Sequence, residues 1–153
     1  MIALYHGISL LARAIQFQTR GKYSHAAWVC ADGSVVEAWV SGVEHNADLG
    51  KAHTPGTRVD LFEIVGLSWR DRQMIEALLL DELGKPYDYL AILRFISRRA
   101  ATENGKWFCS ELIFAAALAR GVQLLARCEA WQVSPTMLGW SPKLKFAGSV
   151  VCK

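Results

Sequence analysis

The stretch YSHAAWVCADGSVVEAWV, residues 23–40, decides the fold. Two runs of apolar and β-branched residues, 23–30 and 34–40, flank an Asp-Gly pair, a strong short-range signal for a β-hairpin. A two-residue turn at Asp32-Gly33 pairs residues whose numbers add up to about 65, so that Glu37 faces Trp28. A shift of one residue, from a bulge or a longer loop, would instead put His25 and Glu37 on one face of the sheet. The sequence leaves both registers open.

Outward from the hairpin, the pattern of apolar residues and end signals predicts one α+β domain over residues 1–153. Ser9 and Ser68 are candidate helix N-caps, and Gly84 and Gly121 are candidate helix ends. Strands and helices in this order are typical of a small antiparallel sheet packed against helices. The sequence predicts helices over 8–18, 68–84, 86–100 and 107–121, strands over 58–65 and 143–151, and loops over 44–57 and 101–106.

Composition narrows the class of protein. The 153 residues are 52% hydrophobic and carry a net charge of +3, which excludes a disordered chain and argues against nucleic acid as a partner. No apolar run approaches the roughly 18 residues of a transmembrane helix. The first residues lack a basic segment and a cleavage site, so we expect no signal peptide and a protein that is cytoplasmic as synthesised. The four cysteines form no close pair, which predicts free thiols.

Cys109 is the candidate nucleophile. It lies in the first turn of the predicted helix WFCSELIFAAAL, where unpaired N–H groups and the helix dipole favour a thiolate. The same N–H groups could bind the oxyanion that forms during acyl transfer. The alternative is a small buried apolar side chain, which is the commoner role of a free cysteine.

His25 and Glu37 are the candidate base and orienting group. Each interrupts an apolar strand, where a polar side chain needs a partner. His25 could take the proton of the Cys109 thiol, and Glu37 could orient the imidazole if the register puts both on one face. The alternatives are a core histidine with a satisfied hydrogen bond and an edge-strand carboxylate that faces solvent.

No metal or organic cofactor is predicted. His45 and His53 stand in a polar loop without the further ligands that a tetrahedral zinc site requires. Arg94, Arg98, Arg99 and Lys106 form a basic cluster beside the apolar segment LAILRFI. We interpret this cluster as a solvated helix face, with a peripheral contact to lipid or to an anionic substrate as the alternative.

Four segments, YSHAAW, VVEAW, KPYDYL and WFCSELI, resemble the NlpC/P60 superfamily, in particular its circularly permuted papain-like branch, the YiiX/YaeF-like proteins. The resemblance runs from about residue 5 to about residue 140. It implies a papain-like α+β fold with the nucleophile at a helix N-terminus. It also implies Cys109 as nucleophile, His25 as general base and Glu37 as the orienting residue, with glutamate being the form expected of this branch.

Three tyrosines are weaker candidates for substrate binding. Tyr87 and Tyr89 match a recurrent motif of the superfamily, and a structural role beside a pocket is the alternative. Tyr23 stands two residues before His25 and is expected on the same strand face.

The resemblance implies a cysteine hydrolase that cleaves an amide, with a cell-wall peptide or a related amide as substrate. A lipid acyl hydrolase or acyltransferase with the same three residues is the first alternative, and a catalytically inactive binding module is the second. The partner is then a peptide or an acyl substrate, and the oligomeric state stays open.

Overall fold

A six-stranded antiparallel sheet forms the centre of the computed structural model, which describes residues 1–88 and 106–153. The strands run in the order β4-β3-β2-β1-β5-β6, so the first strand lies in the middle of the sheet. Their bounds are β1 Ile2–His6, β2 His25–Val29, β3 Val35–Trp39, β4 Gly42–Asn46, β5 Arg58–Ile64 and β6 Leu144–Val151.

The helices begin where the sequence places their caps. The Ser9 side chain accepts a hydrogen bond from the Ala12 N–H, and that of Ser68 accepts one from the Asp71 N–H, so each satisfies an N–H that the first turn leaves unpaired. The described helices are α1 Leu10–Thr19, α2 Trp69–Asp81, α3 Cys109–Ala119 and the short α4 Pro135–Gly139, with a 3₁₀ turn at Ala130–Gln132.

The two faces of the sheet pack against different parts of the chain. Ala26, Trp28 and Val36 belong to the large apolar core that also contains the buried residues of α2 and α3. Ala27 and Val35 belong to a smaller cluster on the other face. Side chains alternate along a strand, so this division assigns the odd-numbered residues of β2, including His25, to the face away from α3.

The turn between β2 and β3 is one residue longer than a two-residue turn. Trp28 pairs with Val36, and the Cys30 N–H donates to Ser34 O, so the loop contains residues 31–33. Gly33 has a φ of 89°, a left-handed conformation that suits the last position of a three-residue hairpin loop. The prediction of a two-residue turn is therefore wrong. The structure has the alternative register, with His25 and Glu37 on one face of the sheet.

The predicted α+β class with an antiparallel sheet on helices is confirmed, and the differences are local. β1 and α4 are not among the predicted elements, and β4 falls partly within the predicted loop 44–57. The β4 sequence, GVEHN, is too polar to show alternation, and its pairing with β3 supplies the hydrogen bonds.

The predicted helix over 86–100 does not begin at Pro86. Tyr87 instead forms a bridge to Trp107, because Asp88 N–H donates to Trp107 O and Trp107 N–H donates to Pro86 O. The remainder of that prediction, and the cluster Arg94, Arg98 and Arg99, lie outside the described residues. Within residues 1–88 and 106–153, no helix is both long and apolar enough to span a bilayer.

Candidate active site

A buried carboxylate, that of Glu37, organises the site. Its Oε2 lies 2.6 Å from Nε2 of His25 and 3.0 Å from Nε2 of His53, and its Oε1 accepts a 2.9 Å hydrogen bond from Nδ2 of Asn46. Burial works to raise the pKa of Glu37, but the hydrogen bonds from His25 and His53 outweigh it and hold the pKa far below its usual value. The carboxylate is ionised at neutral pH and acts only as an acceptor, so both imidazoles donate from Nε2.

Three neighbouring strands and one loop bring these groups together. His25 begins β2, Glu37 lies in β3 and Asn46 ends β4, while His53 comes from the loop before β5. The Tyr5 ring stacks on His53 at 3.9 Å between centroids and meets His25 edge-on at 5.3 Å. These contacts fix the orientation of both imidazoles.

His25 is a neutral imidazole in the folded protein. Burial lowers its pKa, the contacts with Glu37 raise it, and His53 lowers it further, with a net shift below the usual 6.5. Because Nε2 carries the proton that Glu37 accepts, Nδ1 is unprotonated and available as a base.

Cys109 begins α3, the helix that packs against β2, and His25 begins β2. The β2–β3 ladder begins at the Trp28–Val36 pair, so the Ala26 N–H, which in this register is directed toward β3, lies beyond the ladder. The N–H groups of Ala26, Ser110 and Cys109 itself act on the Cys109 sulfur and lower its pKa. The sulfur thus lies near the part of β2 whose backbone is not paired with β3.

The Cys109 thiol is protonated at neutral pH. Burial is the main cause that raises its pKa and the nearby Glu37 charge adds to it; the backbone N–H groups of Ala26 and Ser110 counter this only in part, and the net pKa is about 12. The expectation of a thiolate already formed by the helix terminus is therefore wrong for the closed structure. Desolvation of a 1% exposed side chain outweighs the helix dipole.

A cavity of about 120 Å³ opens beside the two histidines. His25 and His53 contribute its polar wall, and Trp39, Leu11 and Ile15 contribute apolar wall. Among the described residues, those that line the cavity do not include Cys109, which is buried.

The three tyrosines predicted to bind substrate do not lie together. Tyr87 lines the cavity. Tyr23 does not, because its hydroxyl donates a 2.8 Å hydrogen bond to buried Asp60 and its ring lines a different groove. The strand begins only at His25, so the alternation that put Tyr23 beside His25 does not extend back to residue 23. Tyr89 lies outside the described residues.

Two residues of the site, His53 and Asn46, are absent from the sequence-based prediction. His53 stands out in the sequence only as a loop histidine, and its contact with Glu37 crosses 16 positions of chain. The one available signal is that both residues stand in the polar segment directly after the hairpin, which has to return across the sheet to reach β5.

Comparisons with known proteins identify the fold. No protein-family model matches the chain, and no curated protein matches it. Among solved structures, the chain is similar to the metalloprotein yiiX from Escherichia coli O157:H7, DUF1105, with a TM-score of 0.71 and 20% sequence identity. The match covers 96% of this chain and 94% of that chain. The chain has a yiiX-like fold. At this identity the likeness concerns the fold alone.

Proposed function

We propose that the protein is a cysteine hydrolase of the permuted papain-like type, with Cys109 as nucleophile, His25 as general base and Glu37 as the orienting group. One observation carries the proposal. The Cys109 sulfur lies close enough to the backbone N–H of Ala26, the residue after His25, for that group to lower its pKa, while an ionised Glu37 holds the imidazole in the tautomer that leaves Nδ1 free. A nucleophile, a base and an orienting carboxylate are the parts that acyl transfer requires.

The reaction begins from a neutral thiol and a neutral imidazole. The Cys109 sulfur attacks the carbonyl carbon while Nδ1 of His25 accepts the thiol proton, and the imidazolium is stabilised by Glu37. The N–H groups at the start of α3 stabilise the oxyanion. The bond to the leaving group then breaks as His25 returns the proton to it, which leaves a thioester. Water attacks the thioester with His25 again as base, and the acid departs as the thiol re-forms.

Access to the sulfur requires a local opening. Cys109 is 1% exposed and does not line the cavity, so a substrate carbonyl reaches it only when the residues that cover it move. Substrate binding in the cavity is the source of energy for this movement, because a bound group replaces the contacts that the covering residues make.

The substrate is an acyl compound whose apolar part fills the cavity. A peptide-type amide is the proposed substrate, and a lipid ester is the alternative that the apolar wall residues Leu11, Ile15 and Trp39 favour. An inactive binding module would have no need for a buried ionised carboxylate between two histidines, because burying a charge costs stability.

The test is capture of the acyl-enzyme. Wild type and Cys109→Ala are incubated with p-nitrophenyl acyl esters of increasing chain length and with peptide amides, and intact mass is measured after rapid acid quenching. We expect a mass increase equal to the acyl group in wild type only. Cys30→Ala, which removes another buried thiol, is the matched control and should retain the adduct. Equal labelling of wild type and Cys109→Ala would contradict the proposal.

A second candidate function, metal binding, is favoured by a specific observation. One ligand atom each from His25, Glu37 and His53 lie within 4.8 Å of one another, and the similar yiiX protein is called a metalloprotein. Two imidazoles and a carboxylate fit zinc, and the adjoining cavity leaves room for a further ligand. A zinc ion there would supply Lewis-acid polarisation of a bound carbonyl. Glu37 and the two histidines would then bind the ion instead of forming hydrogen bonds with one another.

His53 distinguishes the two candidates. Zinc binding is measured by equilibrium dialysis for wild type, His53→Ala and Cys109→Ala. The metal candidate predicts that His53→Ala loses zinc and that Cys109→Ala keeps it. The cysteine hydrolase predicts acylation that survives dialysis against a chelator.

A further inference from the structure

Helix α1 presents a stripe of large apolar side chains to solvent. Leu10 is 86% exposed and Phe17 is 88% exposed, and both lie on one helix face with exposed Ala14 between them. At 100° per residue these three positions fall within about 60° of one another. Leu11 and Ile8, 44% and 47% exposed, widen the stripe toward the N-terminus of the helix. Exposed apolar residues this large and contiguous mark an interaction surface.

The stripe is framed by positive charge. Arg13 and Arg20 are exposed, and Lys22 follows directly after the helix. Residues 8–22 contain no aspartate or glutamate. In the part of the chain that the structure describes, the one ion pair of Lys22 is with Asp60, at 3.8 Å, and Asp60 is buried and already bonded to other partners. The field at this face is therefore positive.

The helix is held rigidly in this orientation. Ala12 and Ile15 are buried on its opposite side, and Nε2 of Gln16 donates to the carbonyls of Gly7 and Lys22 at 3.1 Å each. The apolar stripe thus cannot turn inward without breaking these contacts.

An exposed aromatic side chain lies near the turn that follows α1. The turn after α1 packs closely on α4, since a Cβ added to Gly21 would come within 2.4 Å of the Thr136 side chain. Trp140, 66% exposed, follows α4 and lines one groove together with Arg20 and Lys22. Tryptophan beside cationic side chains is the arrangement favoured at the headgroup level of a bilayer.

We propose that this face, formed by α1 and Trp140, docks on an anionic membrane surface. Leu10 and Phe17 enter the acyl region, and Arg13 and Arg20 pair with lipid phosphates. A second copy of the chain is a poorer partner, because a symmetric contact would bring two cationic faces together. Ile8 and Leu11 also line the cavity beside His25, so the cavity adjoins the helix that docks. The proposal does not depend on the reaction proposed above.

The test is sedimentation with vesicles of phosphatidylcholine alone or with about a third phosphatidylglycerol. Wild type is compared with Leu10→Ser/Phe17→Ser, with Arg13→Gln/Arg20→Gln and with the control Trp69→Ser, which changes a 70% exposed side chain on α2. We expect the apolar pair to lower the partition coefficient about tenfold or more per residue, and the arginine pair about fivefold per residue on anionic vesicles only. Trp69→Ser should bind as wild type does.

Several results would overturn the docking proposal. Wild type could fail to bind anionic vesicles, or the Leu10→Ser/Phe17→Ser variant could bind as tightly as wild type. If the stripe is instead a contact between two copies, light scattering after size exclusion would show a dimer for wild type and a monomer for the Leu10→Ser/Phe17→Ser variant. Circular dichroism verifies that each variant is folded, and the test includes no measurement of catalytic activity.

Discussion

Replacement of Glu37 by glutamine removes the charge at the centre of the site and keeps its shape. The amide oxygen of the new side chain can still face Nε2 of His25 and of His53, and Asn46 can rotate its amide to accept from the new NH₂ group. What is lost is the charge on three hydrogen bonds, those from His25, His53 and Asn46, and this loss is offset in part because a buried charge is removed as well. Charged hydrogen bonds contribute about 1.5–3 kcal/mol and neutral ones about 0.5–1.5. We therefore expect Glu37→Gln to lower the free energy of unfolding by about 2 kcal/mol.

The assay is urea unfolding at pH 7, where the midpoint should fall by about 1 M without a change of m-value. Glu37→Ala should cost more, because two buried N–H groups then lose their acceptor. Glu44→Gln is the control: Glu44 stands directly opposite Glu37 on β4, so removing its charge relieves repulsion and should change stability by less than about 0.5 kcal/mol. A Glu37→Gln protein as stable as wild type, or an equal loss in Glu44→Gln, would refute the reasoning.

Three further predictions concern other parts of the molecule. Burial holds the pKa of His25 below 6.5, so the unfolded chain binds the extra proton and the free energy of unfolding should decrease as the pH is lowered through 6.5 in urea titrations; a His25→Gln variant with an undiminished pH slope would contradict this. Peptide mapping after iodoacetamide treatment at pH 7.5 should show that half-buried Cys128 is modified before Cys109, because a pKa of about 12 keeps the Cys109 thiol protonated. The reverse order would contradict burial of the Cys109 sulfur. Gly21→Ala should lower the free energy of unfolding by about 1–3 kcal/mol in a thermal or urea titration, because the added Cβ meets the Thr136 side chain; an unchanged value would mean that the turn moves aside.

Much of the fold follows from local signals. The Asp32-Gly33 pair and its flanking runs predict the hairpin, and the caps Ser9 and Ser68 mark the starts of two helices. These features depend on neighbours in the chain, so a sequence can show them. The register of the hairpin does not follow from local signals, because one additional loop residue decides which face Glu37 occupies.

The site could be predicted only in part for the same reason. His25 and Glu37 stand out because each is a polar residue within an apolar strand, and the structure places them 2.6 Å apart. His53 reaches them from a loop, and no local pattern indicates that contact. The protonation state of Cys109 depends on how much solvent the folded chain excludes, which only the packed structure shows.

The central place of β1 has a consequence for how the chain folds. β2, β3 and β4 are joined by short turns and can pair early, whereas β5 reaches them only through β1, and Leu4 pairs on one side with Ala26 and on the other with Asp60. β6 pairs with β5 across 80 or more positions of chain. Each of these pairings closes a long loop, which costs entropy before the contacts form, so we expect slow folding. A deletion of residues 2–6 would leave two unconnected ribbons with open edges, prone to pair with other chains.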